Sequence, residues 1–170
     1  MRKILLHACC APCSSSVLER LGEYDVTAYF YNPNIRPLAE YERRLTEMRL
    51  LDVKTIEGPQ DFDEWDKVAL EFHFGEGGRR CGVCFYKRLL ETAKYAKKIG
   101  IDIFATTLTV SPHKNANVIN MIGEKVAIEV GIEYLSSDFK KQGGFQRSLE
   151  ISKQLGMYRQ NYCGCTPRVD

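Results

Sequence analysis

The stretch Cys9–Cys13 (CCAPC) decides how the rest of the chain is interpreted, because it places three cysteines within five residues. It follows Lys3–His7 (KILLH), which has the apolar character of a buried strand, and it precedes three serines. Strand side chains alternate between two faces, so the thiols of Cys9 and Cys10 can point at one object only if the backbone turns there. The sequence therefore predicts a strand, a tight turn with clustered thiols, and a helix over residues 14–21.

Strand-like and helical segments alternate along the rest of the chain. The predicted strands cover residues 25–31, 53–56, 101–107 and 133–135, and the predicted helices cover 38–51, 61–72, 82–99, 116–130 and 144–155. This alternation predicts an α/β fold, with residues 1–170 as one domain in which helices flank a mostly parallel sheet and a Cys-Gly-Cys tail follows. Ligand sites of such sheets lie beyond the carboxyl ends of the strands. The Cys9–Cys10 turn, the loop at Asn32 and the segment 106–115 should therefore share one edge, and residues 74–80 should form a flexible loop.

The composition indicates a folded domain, since 44% of the 170 residues are hydrophobic. No apolar run approaches the roughly 20 residues that span a bilayer, and the apolar stretch after Met1 is too short for a signal peptide. We therefore expect a cytoplasmic protein with no membrane partner. Cytosolic thiols stay reduced, so the seven cysteines are expected to be metal ligands or redox centres rather than structural disulfides.

A second pair of cysteines, Cys81 and Cys84, lies at the predicted start of a helix and directly after Arg79 and Arg80. The unpaired N–H groups of a helix start, its dipole and nearby arginines all favour thiolates. Together with Cys9 and Cys10, this pair supplies four thiolates, enough for a tetrahedral zinc ion or a four-iron cluster. Adjacent cysteines fit the usual zinc knuckles poorly, which favours an iron–sulfur cluster and leaves zinc as the alternative.

A third pair, Cys163 and Cys165, is separated by a single glycine. Such a pair can form a small, strained disulfide of the labile, redox-active kind. We predict a two-electron thiol pair beside the metal group. The alternatives are a second metal site shared with Cys13, and a loose terminus in which the cysteines are incidental.

The basic residues near Cys81 also suggest a partner. Between Arg79 and Lys98, seven basic residues accompany one acidic residue. This suits a polyanion such as RNA, whereas charge alone favours a solvated helix face. His113 lies in the predicted ligand edge and is a candidate proton donor, whereas His7 is expected in the core. No Walker-type loop and no Gly-x-Gly-x-x-Gly after a strand is present, so no nucleotide cofactor is predicted.

Several motifs together resemble the QueH type of epoxyqueuosine reductase. They are residues 7–13 (HACCAPC), 31–35 (YNPNI), 80–86 (RCGVCFY), 138–141 (DFKK), 147–153 (RSLEISK) and 158–165 (YRQNYCGC). The resemblance covers nearly the whole chain. It implies a fold similar to the nucleotide-binding domains of PP-loop (HUP-type) tRNA-modifying enzymes, with cysteines in place of the phosphate loop.

The resemblance also implies an activity. The implied substrate is tRNA with epoxyqueuosine at the wobble position of the anticodon, from which the epoxide oxygen is removed as water to leave queuosine. A [4Fe-4S] cluster is implied on Cys9, Cys10, Cys81 and Cys84, with a redox role for Cys163 and Cys165, and Cys13 is left as a possible ligand of an additional iron. An electron donor is the second implied partner.

Substrate contacts are predicted at the ligand edge and along the basic segments. Phosphates would be held by basic side chains, and an unstacked base would stack on an aromatic ring such as that of Tyr31. The candidates are Tyr31, Asn32, Asn34, His113, Lys114, Lys140 and Arg147.

Three other functions remain open on the sequence. One is a sulfur-transferring tRNA-modifying enzyme on the same scaffold, which would need ATP although no phosphate loop is evident. Another is a zinc-stabilised RNA-binding module without catalysis. The last is a thiol–disulfide oxidoreductase, which would leave Cys9 and Cys10 without a role.

Overall fold

The computed structural model describes residues 1–71 and 79–165, and over these residues strands and helices alternate. The elements are β1 (Arg2–His7), α1 (Ala11–Arg20), β2 (Tyr24–Phe30), α2 (Leu38–Glu47), β3 (Lys54–Glu57), α3 (Phe62–Glu71), α4 (Arg79–Lys98), β4 (Ile103–Thr106), α5 (Ala116–Val130), β5 (Glu133–Tyr134) and α6 (Gly144–Gln154). Short 3₁₀ turns follow α2 and β4. No described helix is both long and apolar enough to cross a membrane.

The described strands form one sheet in the order β3-β2-β1-β4-β5, and every neighbouring pair is parallel. The predicted α/β class is therefore confirmed. The chain moves outward from β1 to β3 and then returns to add β4 on the other side of β1. In sheets of this kind, a ligand crevice opens where the order reverses, which here is between β1 and β4. The narrower similarity to PP-loop domains stays a prediction.

The central strand β1 explains why the sheet is covered on both faces. Ile4, Leu5 and Leu6 are all fully buried, as expected for a parallel strand with helices on either side. Leu5 belongs to the core layer that contains Leu89 of α4, and Leu6 belongs to the opposite layer with Val17 of α1. Cys9 and Cys81 pack against the first of these layers, and Cys13 packs against the second.

Two helices begin earlier than the sequence predicts. Helix α1 begins at Ala11 instead of residue 14, because Cys10 caps it: the Cys13 amide donates to the Cys10 sulfur at 3.5 Å. Proline is well tolerated in a first helical turn, where no intrahelical partner for its nitrogen is needed, and Pro12 lies there. Helix α4 begins at Arg79, so the predicted loop does not extend to residues 79 and 80. Residues 74–78 of that predicted loop, together with Phe72 and His73, lie outside the described residues.

Candidate active site

Cys9 lies at the point where the strand order reverses. Its backbone amide donates to the Thr107 hydroxyl at 3.1 Å, and that hydroxyl donates to the Cys9 sulfur at 3.3 Å. The Thr107 amide in turn donates to the His7 carbonyl at 3.0 Å. The segments that follow β1 and β4 therefore meet, as the sequence predicts. His7 is buried, as expected, and its ring nitrogens lie 3.0 Å from Thr106 Oγ1 and from the Tyr31 carbonyl.

The three thiols of the Cys9–Cys13 stretch converge. Their sulfur atoms all lie within 4.8 Å of one another, and those of Cys9 and Cys10 are 3.8 Å apart. Two sulfurs bound at about 2.3 Å to one tetrahedral ion lie about 3.8 Å apart. Cys13, which had no assigned partner on sequence grounds, thus joins Cys9 and Cys10 in a group that could hold a metal ion.

Hydrogen bonding among these thiols separates their acidities. Bonds from Cys10 and Cys13, helped by the charges of Arg88 and Lys114, lower the pKa of Cys9 well below its usual value despite burial. A bond from Cys13 favours the Cys10 thiolate, but the bond to Cys9 and burial outweigh it and raise the pKa of Cys10 to about 12. Bonds to Cys10 and Cys9 and burial raise the pKa of Cys13. The group therefore favours one thiolate, on Cys9.

The other two cysteine pairs face a common cavity of about 290 Å³. Cys81 and Cys84 of α4 line it together with Cys163 and Cys165 of the tail. Burial raises the pKa of Cys84 to about 11, although the nearby Arg88 charge opposes the shift. Among the residues described, the group close enough to share one ion as placed is Cys9, Cys10 and Cys13. The predicted set of Cys9, Cys10, Cys81 and Cys84 therefore stays a prediction.

A second cavity, of about 530 Å³, connects the cysteine groups. It is lined by Cys9 and Cys13 and shares His113, Lys114 and Cys163 with the first cavity. Burial lowers the pKa of Lys114, but the attraction of the neighbouring cysteine sulfurs, Cys163 first and then Cys9, outweighs it, so the pKa is raised and the ammonium is retained. Of the predicted substrate contacts, His113 and Lys114 are thus the pair that lines both cavities.

The tail is held by a network that we call the tail clamp, formed by Glu40, Arg44 and Tyr158. The Arg44 guanidinium donates to the carbonyls of Cys163 at 2.7 Å and Tyr162 at 3.0 Å, and to Glu40 at 2.9 Å. The Tyr158 hydroxyl donates to the same Glu40 carboxylate at 2.9 Å. A loose terminus is therefore not what the structure shows for residues 158–165.

The glycine between the two tail cysteines is required by its surroundings. Gly164 has φ +101°, and an added Cβ would lie 3.1 Å from Arg44 Nη1 and 3.3 Å from Ile35 Cγ2. Its carbonyl accepts a 2.8 Å hydrogen bond from the Arg36 amide. The backbone between Cys163 and Cys165 is thus fixed against the loop that follows β2. Their predicted disulfide stays a prediction.

Asn32 and Asn34 lie inside the protein rather than on a substrate-facing surface. Asn32 donates to the Ala8 carbonyl at 3.0 Å and accepts from Arg88 Nη2 at 2.6 Å. The Asn34 amide nitrogen lies 4.0 Å from the Cys163 sulfur. Both are buried, so they support side chains of the site, and their predicted contact with substrate is not seen in the geometry.

Tyr31 is also buried, and its hydroxyl donates to Asp61 at 2.7 Å. Burial and the Asp61 carboxylate raise its pKa. Its ring is stacked with that of Tyr29. Because a base needs an exposed aromatic face, the prediction that Tyr31 stacks on RNA does not fit this placement.

Lys140 and Arg147 line neither cavity. Lys140 pairs with Asp138 at 3.0 Å, and Arg147 pairs with Glu19 at 2.7 Å and with Glu150 at 3.2 Å. Arg147 connects α6 to α1. These pairs assign both residues to local structure, and a role on a tRNA phosphate stays a prediction.

Sequence reasoning missed Arg88, Arg44 and the lining residues Phe145 and Arg159. Arg88 was counted with the basic run, yet it is buried, whereas Lys94 on the same helix is exposed. The signal was its position four residues after Cys84, which places both on one helix face. Glu40 and Arg44 have the same spacing. Arg159 lies within the quoted motif of residues 158–165 but was given no role, and no residue pattern pointed to Phe145.

The fold and the site define a class: an α/β protein whose ligand edge gathers thiols from three distant segments, as metal- and redox-dependent enzymes do. Comparison with known proteins narrows this class. The family model described as "Epoxyqueuosine reductase QueH" matches residues 4–167. The chain belongs to the epoxyqueuosine reductase QueH family, which makes it an oxidoreductase.

The chain is similar to several proteins that carry this family name. It is 44% identical to that of Streptococcus pyogenes serotype M1, over 95% of this chain and 68% of the relative. It is 44% identical to that of Staphylococcus epidermidis, over 96% and 74%, and 37% identical to that of Thermotoga maritima, over 97% and 89%. A solved structure titled "AtPrR2 in apo form" aligns with 92% of this chain and 46% of its own at 13% identity and a TM-score of 0.41.

Proposed function

We propose that this chain is a cytoplasmic enzyme that reduces epoxyqueuosine in tRNA to queuosine, with residues 1–170 acting as one catalytic domain. The observation that carries the proposal is the gathering of six thiols around two adjoining cavities, with the seventh, that of Cys10, within 4.8 Å of two of them, in a chain of this family. The reaction consumes two electrons and two protons, breaks both carbon–oxygen bonds of the epoxide and releases water. An unidentified electron donor supplies the electrons.

The implied [4Fe-4S] cluster fits the residues present. Such clusters are held by four cysteine thiolates, and the edge offers more than four thiols with a buried cation, Arg88, among them. We propose Cys9, Cys10, Cys81 and Cys84 as the ligands. When bound, the cluster would supply electrons one at a time.

The proposed roles of the remaining cysteines follow from their positions. Cys163 and Cys165 would store two electrons, forming a disulfide and releasing two protons as the pair is oxidised. The tail clamp keeps this pair on the first cavity. Cys13 would hold an additional iron beside the cluster, because its sulfur lies within 4.8 Å of those of Cys9 and Cys10.

The protein's own cations would serve the substrate. Lys114 and His113 line both cavities, so they are placed to donate a proton to the leaving oxygen or to bind a phosphate of the anticodon. We propose His113 as the proton donor and Lys114 for the phosphate, because the raised pKa of Lys114 keeps its ammonium charged and makes it the weaker acid. Asn32 and Asn34 would support the site from the core, since the Asn32 amide accepts a hydrogen bond from Arg88 and the Asn34 amide nitrogen lies 4.0 Å from the Cys163 sulfur.

The experiment is anaerobic reconstitution followed by incubation with epoxyqueuosine-containing tRNA and a strong reductant. About four irons per chain, or more if Cys13 binds another, and conversion to queuosine by nucleoside mass spectrometry are expected. Cys81→Ala should lose the cluster, whereas Cys163→Ser should keep it and lose turnover. A colourless protein that holds one zinc and converts no tRNA would refute the proposal.

A second candidate function is a zinc-stabilised RNA-binding module. The spacing of the Cys9, Cys10 and Cys13 sulfurs favours it, because one tetrahedral ion fits that spacing. It predicts one zinc per chain, tRNA binding that does not depend on the epoxide, and no conversion. Metal analysis of protein purified without oxygen separates the two functions.

A further inference from the structure

Within residues 1–71 and 79–165, Arg88 is a buried cation without an acidic partner. Its side chain is 2% exposed, and none of the ion pairs among residues 1–71 and 79–165 includes it. Arg36, Arg44 and Arg147 differ, because each pairs with a carboxylate. A buried ion costs several kcal/mol unless an opposite charge compensates it. The position therefore requires an anion of another kind.

The contacts of Arg88 show where that anion lies. Nη2 donates to Asn32 Oδ1 at 2.6 Å, Nη1 lies 3.7 Å from the Cys84 sulfur, and Nε has no hydrogen-bond partner in the part of the chain described. The Asn32 amide is in turn bonded to the Ala8 carbonyl. A neutral amide thus fixes the guanidinium and leaves its charge unneutralised on the side of the thiols.

The nearest groups that can carry negative charge are cysteines from all three segments. Arg88 Nη1 lies 3.7 Å from the Cys84 sulfur, and Arg88 lines the second cavity together with Cys9 and Cys163. An arginine side chain is not deprotonated in proteins, so the compensating charge has to come from these cysteines as thiolates.

We propose that Arg88 is the internal counter-cation of the cysteine site, held by Asn32 so that its charge offsets the negative charge that the thiolates acquire when they bind a metal group. This rests on the proposed function only in that the cysteines hold a metal. Binding replaces thiol protons by metal and leaves the site net negative when thiolate charges exceed those of the ion. Arg88 stabilises that state relative to the neutral thiols.

The test measures metal affinity rather than turnover. Apo protein is titrated without oxygen against a chelator of known affinity, with Zn²⁺ and Fe²⁺ as separate probes. Arg88→Met should lower the affinity by about 10- to 100-fold, the range for residues that support metal ligands. The matched control is Lys94→Met on the same helix, whose side chain is 57% exposed, and it should bind like wild type.

Two further variants separate charge from shape. Asn32→Asp neutralises Arg88 with a carboxylate and gives up the hydrogen bond to the Ala8 carbonyl, so affinity should fall as in Arg88→Met. Arg88→Lys keeps the charge and should retain most of the affinity. These two carry the test if Arg88→Met fails to fold, as judged by circular dichroism.

The outcomes are distinct. If Arg88→Met or Asn32→Asp binds both metals as tightly as Lys94→Met, the proposal is overturned and Arg88 is structural. If affinity falls as expected while the wild type converts no tRNA, the proposed function fails and the counter-cation stands. With iron reconstituted, the midpoint potential should shift to more negative values in Arg88→Met, and an unchanged potential would count against the proposal.

Discussion

Replacing Arg44 with alanine should detach the cysteine tail from the body of the protein. The side chain is 3% exposed and holds the carbonyls of Cys163 and Tyr162 as well as the Glu40 carboxylate. Its removal leaves Glu40 charged and nearly buried, with the Tyr158 hydroxyl as a remaining donor. Both tail carbonyls lose their guanidinium donor.

The size of the effect follows from this geometry. Breaking a buried ion pair by removing one partner costs about 3–5 kcal/mol, and we expect the Arg44→Ala loss in unfolding free energy to fall in that range. Arg43 provides the matched control, because it is exposed and its guanidinium lies 3.5 Å from the centre of the Tyr158 ring. An exposed cation–π contact is worth about 0.5–1 kcal/mol, so Arg43→Ala should lose no more than that.

Two measurements check the prediction. Denaturant unfolding gives the global loss, and hydrogen exchange gives the local opening of the tail. The Arg36 amide donates to the Gly164 carbonyl, so its exchange reports tail release directly. It should speed up strongly in Arg44→Ala and little in Arg43→Ala.

Equal stability and equal Arg36 exchange in the two variants would refute the clamp. A double-mutant cycle with Glu40→Gln sharpens the result. Once Arg44 is absent, neutralising Glu40 should restore part of the lost stability, because the uncompensated charge is removed. Strict additivity would mean that the Glu40–Arg44 contact carries no coupling energy.

Three further predictions concern other parts of the protein. Gly123→Ala should lower the free energy of unfolding by about 1–3 kcal/mol, because the added Cβ would clash with the Tyr134 ring. Gly82→Ala meets no described atom within 4 Å, so it should raise that free energy by about 0.5–1 kcal/mol, as expected when a helical glycine is replaced. Thermal unfolding measures both changes, and the same sign for the two would contradict the packing argument. Hydrogen bonds from Arg147 lower the pKa of Glu19. This exposed pair therefore stabilises the fold above the unfolded pKa of about 4.3, and the effect is lost as pH falls through the folded pKa. Glu19→Gln should lower the free energy of unfolding by less than about 1 kcal/mol at neutral pH and weaken its dependence on pH in acid, and an unchanged dependence would exclude the pair as its cause. Cys13→Ser should reduce the metal bound per chain without affecting the metal held elsewhere, and full metal content by elemental analysis would remove Cys13 from the ligands.

Much of the fold follows from local patterns in the sequence. The apolar run in β1, the glycines after α4 and α5, and the alternation of element types predicted the class and most element bounds. The starts of α1 and α4 were missed, because Cys10 acts as an N-cap through sulfur, which is outside the usual cap residues, and because Arg79 and Arg80 resemble a loop only when read with the glycines before them.

The candidate site was predictable as a list of residues but not as an arrangement. Clustered cysteines drew attention to the three segments whose thiols lie around the two cavities. The closeness of Cys13 to Cys9 and Cys10 could not be predicted, because it depends on the start of α1, which the pattern placed three residues too late. The burial of Tyr31 and Arg88 could not be predicted, for one shared reason. Residue type suggests exposure for an arginine and accessibility for a loop tyrosine, while burial is decided by long-range packing, here of α4 against the strands.

The central position of β1 has a consequence for synthesis on the ribosome. One side of β1 pairs with β2, at Leu5 opposite Thr27, and the other pairs with β4, at Leu5 opposite Phe104. At a typical elongation rate, the second partner emerges roughly 4 to 15 seconds after the first. Throughout that interval an apolar strand presents an open hydrogen-bonding edge, the kind of edge that promotes aggregation, with nascent thiols directly beyond it. We expect the growing chain to need shielding by a chaperone until β4 is made.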